Sequence, residues 1–209
     1  MRPRAFLTRL LGDRYGASAA EFALVLPIAL LFLLGIIDVG RFMYGVTQAE
    51  KATQAGARRA VVTDLVPSAL ATYSFAVSGG IAPGEPIPQS SFPGVTCSAN
   101  SSGTPVCSCF SGGTCSFALT ADQTAFDNLV EHMHIIYPAV QRSNVIVDYS
   151  YSGLGYAGNP NGPDVAPIVT VRLKDLPFNP LFLGTVATFA IPGTSYSLTL
   201  EDGAGNFSN

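Results

Sequence analysis

Positively charged residues are scarce in most of this sequence. Only 12% of the 209 residues are charged, the net charge is −3, and the cations beyond residue 60 are Arg142, Arg172 and Lys174. Nucleic-acid-binding proteins present clustered basic side chains to the phosphate backbone. The chain beyond residue 60 offers no such cluster, so we expect no nucleic-acid partner.

Arrangements of residues that are typical of enzymes are also missing. No serine stands in a nucleophile elbow, no glycine-rich phosphate loop opens a helix, and the two histidines, His132 and His134, are close neighbours. A zinc site built from these histidines and the cysteines lacks the paired C-x2-C spacing. Asp148 and Asp164 are expected to be solvated. We therefore expect no enzymatic activity, no metal and no cofactor.

A long apolar run lies near the N-terminus of a chain that is 48% hydrophobic, with a mean hydropathy of +0.35. Residues 22–37 carry no charge, and small residues on both sides extend the run to the length of a bilayer crossing. Four arginines and one aspartate precede it: Arg2, Arg4, Arg9, Arg14 and Asp13. This basic flank predicts a cytoplasmic N-terminus, a span at about residues 20–40 and export of the remainder. A cleaved secretory signal fits poorly, because Asp38 and Arg41 follow the run where a small-x-small cleavage site is expected.

One carboxylate, Glu21, stands at the head of the apolar run. A carboxylate inside a bilayer costs roughly 2–3 kcal/mol even on lenient insertion scales, so we expect it to have a partner or a function. Gly16 precedes Glu21 by five positions, and Ala17 follows the glycine. This order resembles the prepilin processing site, at which a membrane peptidase cuts after the glycine. The resemblance implies cleavage between Gly16 and Ala17, and pairing of Glu21 with the α-amine of a neighbouring subunit.

The resemblance extends along residues 16–62, which are similar to the N-terminal signature of the TadE-like minor pilins (pseudopilins) of the tight-adherence pilus. The shared elements are G-x4-E-F-A-x3-P from Gly16 to Pro27, the acid-x-G-R element at 38–41, and A-R-x-A at 57–60. Prepilin peptidase, other pilins and the pilus assembly platform are the partners that this resemblance implies.

The same resemblance implies a place in the cell and a function. It predicts a single-pass protein of the bacterial inner membrane, with a cytoplasmic N-terminus, a periplasmic C-terminal domain, and incorporation into the pilus as a further expectation. Its function would be pilus assembly or adhesion. The alternative is a bitopic protein whose exported domain binds an envelope partner or ligand without polymerising, and an exported enzyme is a third hypothesis.

Composition divides the chain into four segments. Residues 1–16 form a basic leader, 17–62 a pilin-type helix, 63–118 a segment rich in Ser, Gly and Pro, and 119–209 an exported α+β domain. The overall fold class is therefore α+β, with a long N-terminal helix followed by one further helix and an antiparallel sheet.

Two features of the long helix carry specific expectations. Asp38 and Arg41 have the i,i+3 spacing of an ion pair and lie where the helix leaves the membrane. Small residues also recur at helical spacing, at Ala49, Ala52, Gly56 and Ala60. Two interpretations stay open for these small residues, namely packing on the protein's own domain and contact with helices of neighbouring subunits.

Four cysteines lie in the Ser/Gly/Pro-rich segment: Cys97, Cys107, Cys109 and Cys115. In an exported compartment an even, clustered set predicts disulfides. Closing Cys107 on Cys109 would strain so short a loop. Cys97–Cys107 with Cys109–Cys115 is the favoured pairing, and Cys97–Cys109 with Cys107–Cys115 is the alternative.

The last segment contains one helix pattern and several strand patterns. A T-x-x-Q capping box at 120–123 precedes apolar residues at helical spacing, and the helix is expected to end by Pro138. Strands are predicted within 144–152 and 167–176, and a closing hairpin around Pro192 and Gly193.

Overall fold

The computed structural model describes residues 14–182, 184 and 189–201. Most of the predicted leader lies outside these residues. The described residues cluster into two compact units, the first formed by residues up to 44 together with 178–189, and the second by residues 45–177 and those from 190 onward.

A single long helix, α1, runs Arg14–Ala60 and contains Pro27. From Ser18 onward it is long and apolar enough to cross a membrane, and its most apolar stretch is almost wholly exposed. The helix predicted over 17–62 is thereby confirmed, with its observed end two residues earlier than expected.

The remaining elements form a small α+β domain, as the sequence predicts. Its helices are α2 (Ser68–Thr72), α3 (Gln123–Ile136) and a 3-10 turn (Arg142–Asn144). Its strands are β1 (Val95–Ala99), β2 (Pro105–Cys109), β3 (Val145–Ser150), β4 (Ile168–Leu173), β5 (Leu176–Phe178), β6 (Phe189–Ile191) and β7 (Thr194–Thr199).

Five of these strands form one antiparallel sheet in the order β2-β1-β3-β4-β7. Burial alternates along the central strands, so that Val147 on β3 and Val171 on β4 face each other within the core. Alternate side chains of a strand point to opposite faces, so this pattern marks one face of the sheet as buried. The strands predicted within 144–152 and 167–176 are confirmed as β3 and β4.

The predicted hairpin around Pro192 and Gly193 is wrong. β6 pairs with β5 in a separate two-stranded sheet, whereas β7 pairs with β4. The register places Tyr196 opposite Val171 and Leu198 opposite Val169. Cross-strand apolar pairs stabilise a sheet, and the three-residue β6 offers β7 far fewer of them than β4 does.

The start of α3 also differs from the prediction. The N-cap is Asp122, whose carboxylate accepts the N–H of Ala125 at 2.9 Å, so the capping box at 120–123 is wrong. Aspartate is a slightly better N-cap than threonine, and here it lies two residues closer to the apolar positions. The helix ends at Ile136, before Pro138, as expected.

The small residues in the second half of α1 are buried within the second unit. Ala49, Ala52, Gly56 and Ala60 are all buried, and a Cβ placed on Gly56 would lie 2.7 Å from the sulfur of Met133 on α3. The hydroxyl of Thr53, on the same part of α1, forms a hydrogen bond of 2.6 Å with the hydroxyl of Thr194. Packing on the protein's own domain, one of the two interpretations, is therefore observed.

The expectation of solvated carboxylates is wrong for Asp164. This residue is buried, and its carboxylate accepts the backbone N–H of Phe75 at 2.6 Å and of Asn159 at 2.8 Å. Asp148 forms an ion pair with Arg172 at 2.6 Å. Buried polar groups are normally hydrogen-bonded, and Asp164 satisfies this rule by ordering two separate loops.

Candidate functional site

The head of α1 carries the residues of the predicted processing site. Gly16 and Ala17 lie within the first turns of the helix, and Glu21 is exposed one turn further along. Glycine in a helix costs roughly 0.5–1 kcal/mol relative to alanine, so the helix opens more readily at Gly16 into the extended backbone that a protease needs. Cleavage at this bond stays a prediction.

The stretch of α1 after Glu21 exposes large apolar side chains around its circumference, including Phe22, Leu24, Ile28 and Phe32. Soluble monomers rarely expose so large a contiguous apolar surface. Lipid chains or other apolar helices are the environments in which this surface is stable. The helix therefore suggests a single-pass membrane anchor.

Asp38 ends the apolar stretch and binds a distant loop of the same unit. Its side chain is buried, with the residue only 2% exposed. One carboxylate oxygen accepts the N–H of Leu181 and the other accepts the N–H of Phe182, each at 2.8 Å. Hydrogen bonds to an ionised carboxylate are roughly twice as strong as neutral ones. This loop is consequently fastened to α1 at the residue where the apolar stretch ends.

Arg41 binds the same loop from the next turn of α1. Its guanidinium lies 3.6 Å from the carboxylate of Asp38, in the i,i+3 arrangement that the spacing predicts. It also donates to the carbonyl of Asn179 at 3.4 Å and lies 5.8 Å from the ring centre of Phe178. We call Asp38 and Arg41, together with residues 178–182, the helix–loop clamp.

Aromatic packing accompanies the helix–loop clamp. The ring of Phe42 on α1 lies 5.3 Å from that of Phe178 and 6.4 Å from that of Phe189. No sequence pattern predicted the contact of residues 178–182 with α1. The signal of this loop is the absence of any charge between Asp175 and Glu201, but nothing in that composition links the loop to Asp38.

The four cysteines form two disulfides in the structure, Cys97–Cys107 and Cys109–Cys115, which is the favoured pairing. Cys97 and Cys107 lie directly opposite each other in the register of β1 and β2. The carboxamide oxygen of Asn100 accepts the N–H groups of Ser102 and Thr104 in the turn between these strands. The disulfides and the turn together hold β1 to β2 and fix the chain up to Cys115.

The two histidines do not form part of a metal-binding cluster in the described part of the chain. No group of three or more His, Cys, Asp or Glu residues suited to a metal is present among the described residues. A ring nitrogen of His134 lies 2.9 Å from the carbonyl of Val140. An open cleft of about 400 Å³ is lined by Lys51, Gln54, Ala55, Arg58, Arg59 and His132, all of which except Ala55 are polar or basic.

Burial perturbs one tyrosine of the core strongly. Tyr149 on β3 is buried, and its desolvation raises the pKa of the phenol above its ordinary value. The N–H of Val66 donates to the phenol oxygen at 3.1 Å, which opposes this rise in the pKa only in part. Tyr149 is therefore a neutral structural group that connects the sheet to the chain after α1.

A membrane-suited helix joined to a small α+β domain defines a class of single-pass anchored proteins. Within that class, the family model described as TadE-like protein matches residues 16–58 of this chain, which confirms the resemblance drawn from the motifs. The match includes Glu21, Asp38 and Arg41. This family implies a protein associated with the tight-adherence pilus. No curated protein and no solved structure matches the chain.

Proposed function

We propose that this protein is a minor pilin, or pseudopilin, of a bacterial tight-adherence pilus, and that it acts in pilus assembly or adhesion. The observation that carries the proposal is the exposed Glu21 at the head of an exposed apolar helix, within the segment that matches the TadE-like family. Prepilin peptidase would cleave after Gly16, and Ala17 would then carry the free α-amine.

Electrostatics supply the reason for a carboxylate at this position. In a medium of low dielectric constant an amine and a carboxylate attract strongly, whereas either group alone carries a large desolvation cost. Glu21 paired with the α-amine of a neighbouring subunit would satisfy both groups. The pair would also fix the axial position of one subunit relative to the next.

The rest of the chain supports an exported domain. The arginines of the leader favour a cytoplasmic N-terminus, and with this orientation the domain would lie in the periplasm of a bacterium whose inner membrane holds α1. Two disulfides are typical of proteins in an oxidising compartment. Other pilins and the assembly platform would contact the apolar surface of α1 before and during incorporation into the pilus.

N-terminal sequencing and intact mass of the protein from its native membrane test this proposal. We expect a mature chain that begins at Ala17, and an intact Met1 in cells with active prepilin peptidase would contradict the proposal. Gly16→Val should block cleavage by crowding the bond. Gly40→Ala is the matched control, because a Cβ on Gly40 has no atom within 4 Å, and this variant should be cleaved normally.

The alternative function, a bitopic protein that binds an envelope partner or ligand without polymerising, has one observation in its favour. The basic cleft lined by Lys51, Arg58 and Arg59 suits an acidic partner. Cleavage at Gly16 and co-purification with pilins favour the pilin. An uncleaved protein that loses an acidic partner when Arg58 is replaced by Gln favours the alternative.

A further inference from the structure

The described residues after β5 and the first residue of β6 expose apolar side chains in the first unit. Leu181 is 65% exposed, Phe182 is 40% exposed and Phe189 is 48% exposed. No charged residue occurs between Asp175 and Glu201, so no charged side chain in this part of the chain opposes transfer to an apolar environment.

The helix–loop clamp places this loop beside the end of the apolar stretch of α1. Asp38 is the first charged residue after Glu21, and its carboxylate holds the backbone of Leu181 and Phe182. The neighbouring helix residues Ile37 and Val39 are themselves exposed. The apolar side chains of the loop therefore continue the surface that α1 presents to lipid.

Three polar groups of the described loop backbone have side-chain partners on α1. Unpaired N–H groups cost several kcal/mol in a bilayer, which is why irregular backbone rarely faces lipid. Asp38 accepts the N–H groups of Leu181 and Phe182, and Arg41 donates to the carbonyl of Asn179. Pro177 and Pro180 have no N–H to satisfy.

An apolar groove separates the loop from the helix. Its volume is about 140 Å³, and it is lined by Asp38, Val39, Phe42, Phe178, Pro180 and Phe189. An acyl chain that lies along α1 can enter such a groove.

We propose that the side chains of Leu181, Phe182 and Phe189 insert into the membrane leaflet nearest to Asp38, with lipid acyl chains as their partner. The helix–loop clamp holds the loop at this depth. The first unit thus has a second membrane contact in addition to the apolar stretch of α1. The inference rests on the membrane-anchoring part of the proposed function and is independent of cleavage and pilus assembly.

Tryptophan fluorescence tests this insertion, because the chain contains no tryptophan. The full-length protein, at one copy per phosphatidylcholine nanodisc, would carry Phe182→Trp, Phe32→Trp or Ile135→Trp. Phe32 lies within the apolar stretch, and Ile135 is exposed on α3 of the second unit. Phospholipids brominated at different depths are the quenchers in the bilayer, and acrylamide is the quencher in water.

Insertion predicts a blue-shifted emission for Phe182→Trp, with quenching by shallow bromines exceeding that by deep ones. Lipid quenching of this variant should exceed that of Ile135→Trp by about twofold or more, as for side chains buried at the headgroup–acyl boundary. Phe32→Trp should be quenched by deep bromines, which verifies the anchor independently.

Three results would contradict these expectations. Loop insertion would be overturned, with the anchor intact, by two results together. Phe182→Trp would be quenched by acrylamide as strongly as Ile135→Trp and not by lipid, while Phe32→Trp would still be quenched by lipid. Protection that appears only at high protein-to-lipid ratio, without lipid quenching, would overturn insertion in favour of contact with a second copy. Loss of lipid quenching for Phe32→Trp would overturn the anchor itself, and with it the insertion.

The contribution of the helix–loop clamp is tested in the Phe182→Trp background. Asp38→Asn removes the charge that binds two N–H groups, and we expect lipid quenching to fall by roughly half. Asp64→Asn is the matched control, because Asp64 is exposed in the second unit, and quenching should be unchanged. Arg41→Gln provides a second variant. Unchanged quenching in both clamp variants would show that the clamp does not hold the loop.

Discussion

Asp38 and Phe182 are 144 residues apart in the chain, and the carboxylate of Asp38 accepts the N–H of Phe182 at 2.8 Å. The other carboxylate oxygen accepts the N–H of Leu181. A buried carboxylate is stable when hydrogen bonds replace its hydration, and these two N–H groups do so. The contact explains why an acid at the end of the apolar stretch is structurally useful to this protein.

Replacing Asp38 should loosen the loop locally. Asp38→Asn removes the negative charge, and a charge-assisted hydrogen bond contributes about 1.5–3 kcal/mol, so amide exchange at Leu181 and Phe182 should accelerate by roughly tenfold or more. Hydrogen exchange with mass spectrometry on the detergent-solubilised full chain measures this. Asp64→Asn should leave exchange in the loop unchanged. Equal protection in both variants would contradict the assigned role of Asp38.

Enlarging a small residue of α1 should destabilise the domain itself. Ala52 has no exposed surface, and Ala52→Leu adds volume to a packed core, which typically costs about 1–3 kcal/mol. Gln54→Leu, at an exposed position two residues away, is the control and should cost little. Urea unfolding of the full chain in detergent, followed by near-UV circular dichroism, compares the two. Equal midpoints would show that this part of α1 packs elsewhere.

Local patterns predicted α1, α3, β3 and β4, whereas α2, β1, β2 and β5 were not predicted. The apolar period identifies α1 and α3, and alternation identifies β3 and β4, because each pattern depends only on neighbours in the chain. The partners of strands depend on distant residues. The pairing of β7 with β4 therefore could not be read from the residues around Pro192, and the predicted hairpin failed.

In the candidate site too, features encoded by nearby residues could be predicted and contacts between distant residues could not. Glu21, with Gly16 before it, is recognisable because a short motif carries the information. The ion pair of Asp38 with Arg41 follows from helical spacing. That Asp38 also binds Leu181 depends on a contact across 143 residues, for which a single sequence contains no periodic signal.

Removal of the buried disulfide should weaken the domain substantially. A disulfide stabilises by about 2–4 kcal/mol, so Cys97→Ala with Cys107→Ala should lower the free energy of unfolding by that amount. The Cys109–Cys115 disulfide closes a shorter loop, so Cys109→Ala with Cys115→Ala should lower the free energy of unfolding somewhat less. Urea titrations of both double variants in detergent provide the comparison. Labelling of all four thiols in native, unreduced protein would refute the disulfides altogether.

Alkaline pH should destabilise the domain through Tyr149. Burial raises its pKa in the folded state above the ordinary value near 10, so its contribution to stability is complete below about pH 10 and is lost as the pH rises further. In that range the unfolded chain ionises first, and stability should fall by roughly 1.4 kcal/mol per pH unit.

Tyr149→Phe isolates this effect. The variant loses the hydrogen bond from Val66 and should be about 1–3 kcal/mol less stable at neutral pH. Its stability should then decline less steeply above pH 10, with a remainder from Tyr137, whose pKa is also raised by burial. Denaturant titrations at several pH values compare the slopes. Identical slopes in both proteins would exclude Tyr149 as the source.

Glu21→Gln should impair incorporation of the subunit into the pilus without impairing its membrane insertion, folding or cleavage. The neutral amide costs less in hydrocarbon than a carboxylate, so insertion, folding and cleavage should remain close to wild type. Incorporation should fail, because the α-amine of a neighbouring subunit would enter the bilayer without its counter-charge.

Membrane level, cleavage and co-purification with pilus components should be compared for wild type, Glu21→Gln and Glu50→Gln. Glu50 is an exposed glutamate on the same helix, beyond the apolar stretch, so its variant should behave as wild type in all three assays. A role of Glu21 as a mere interfacial charge predicts the same normal behaviour for Glu21→Gln. Wild-type piliation and partner binding by a cleaved Glu21→Gln protein would therefore disprove its pairing role, whereas cleavage without incorporation would support it.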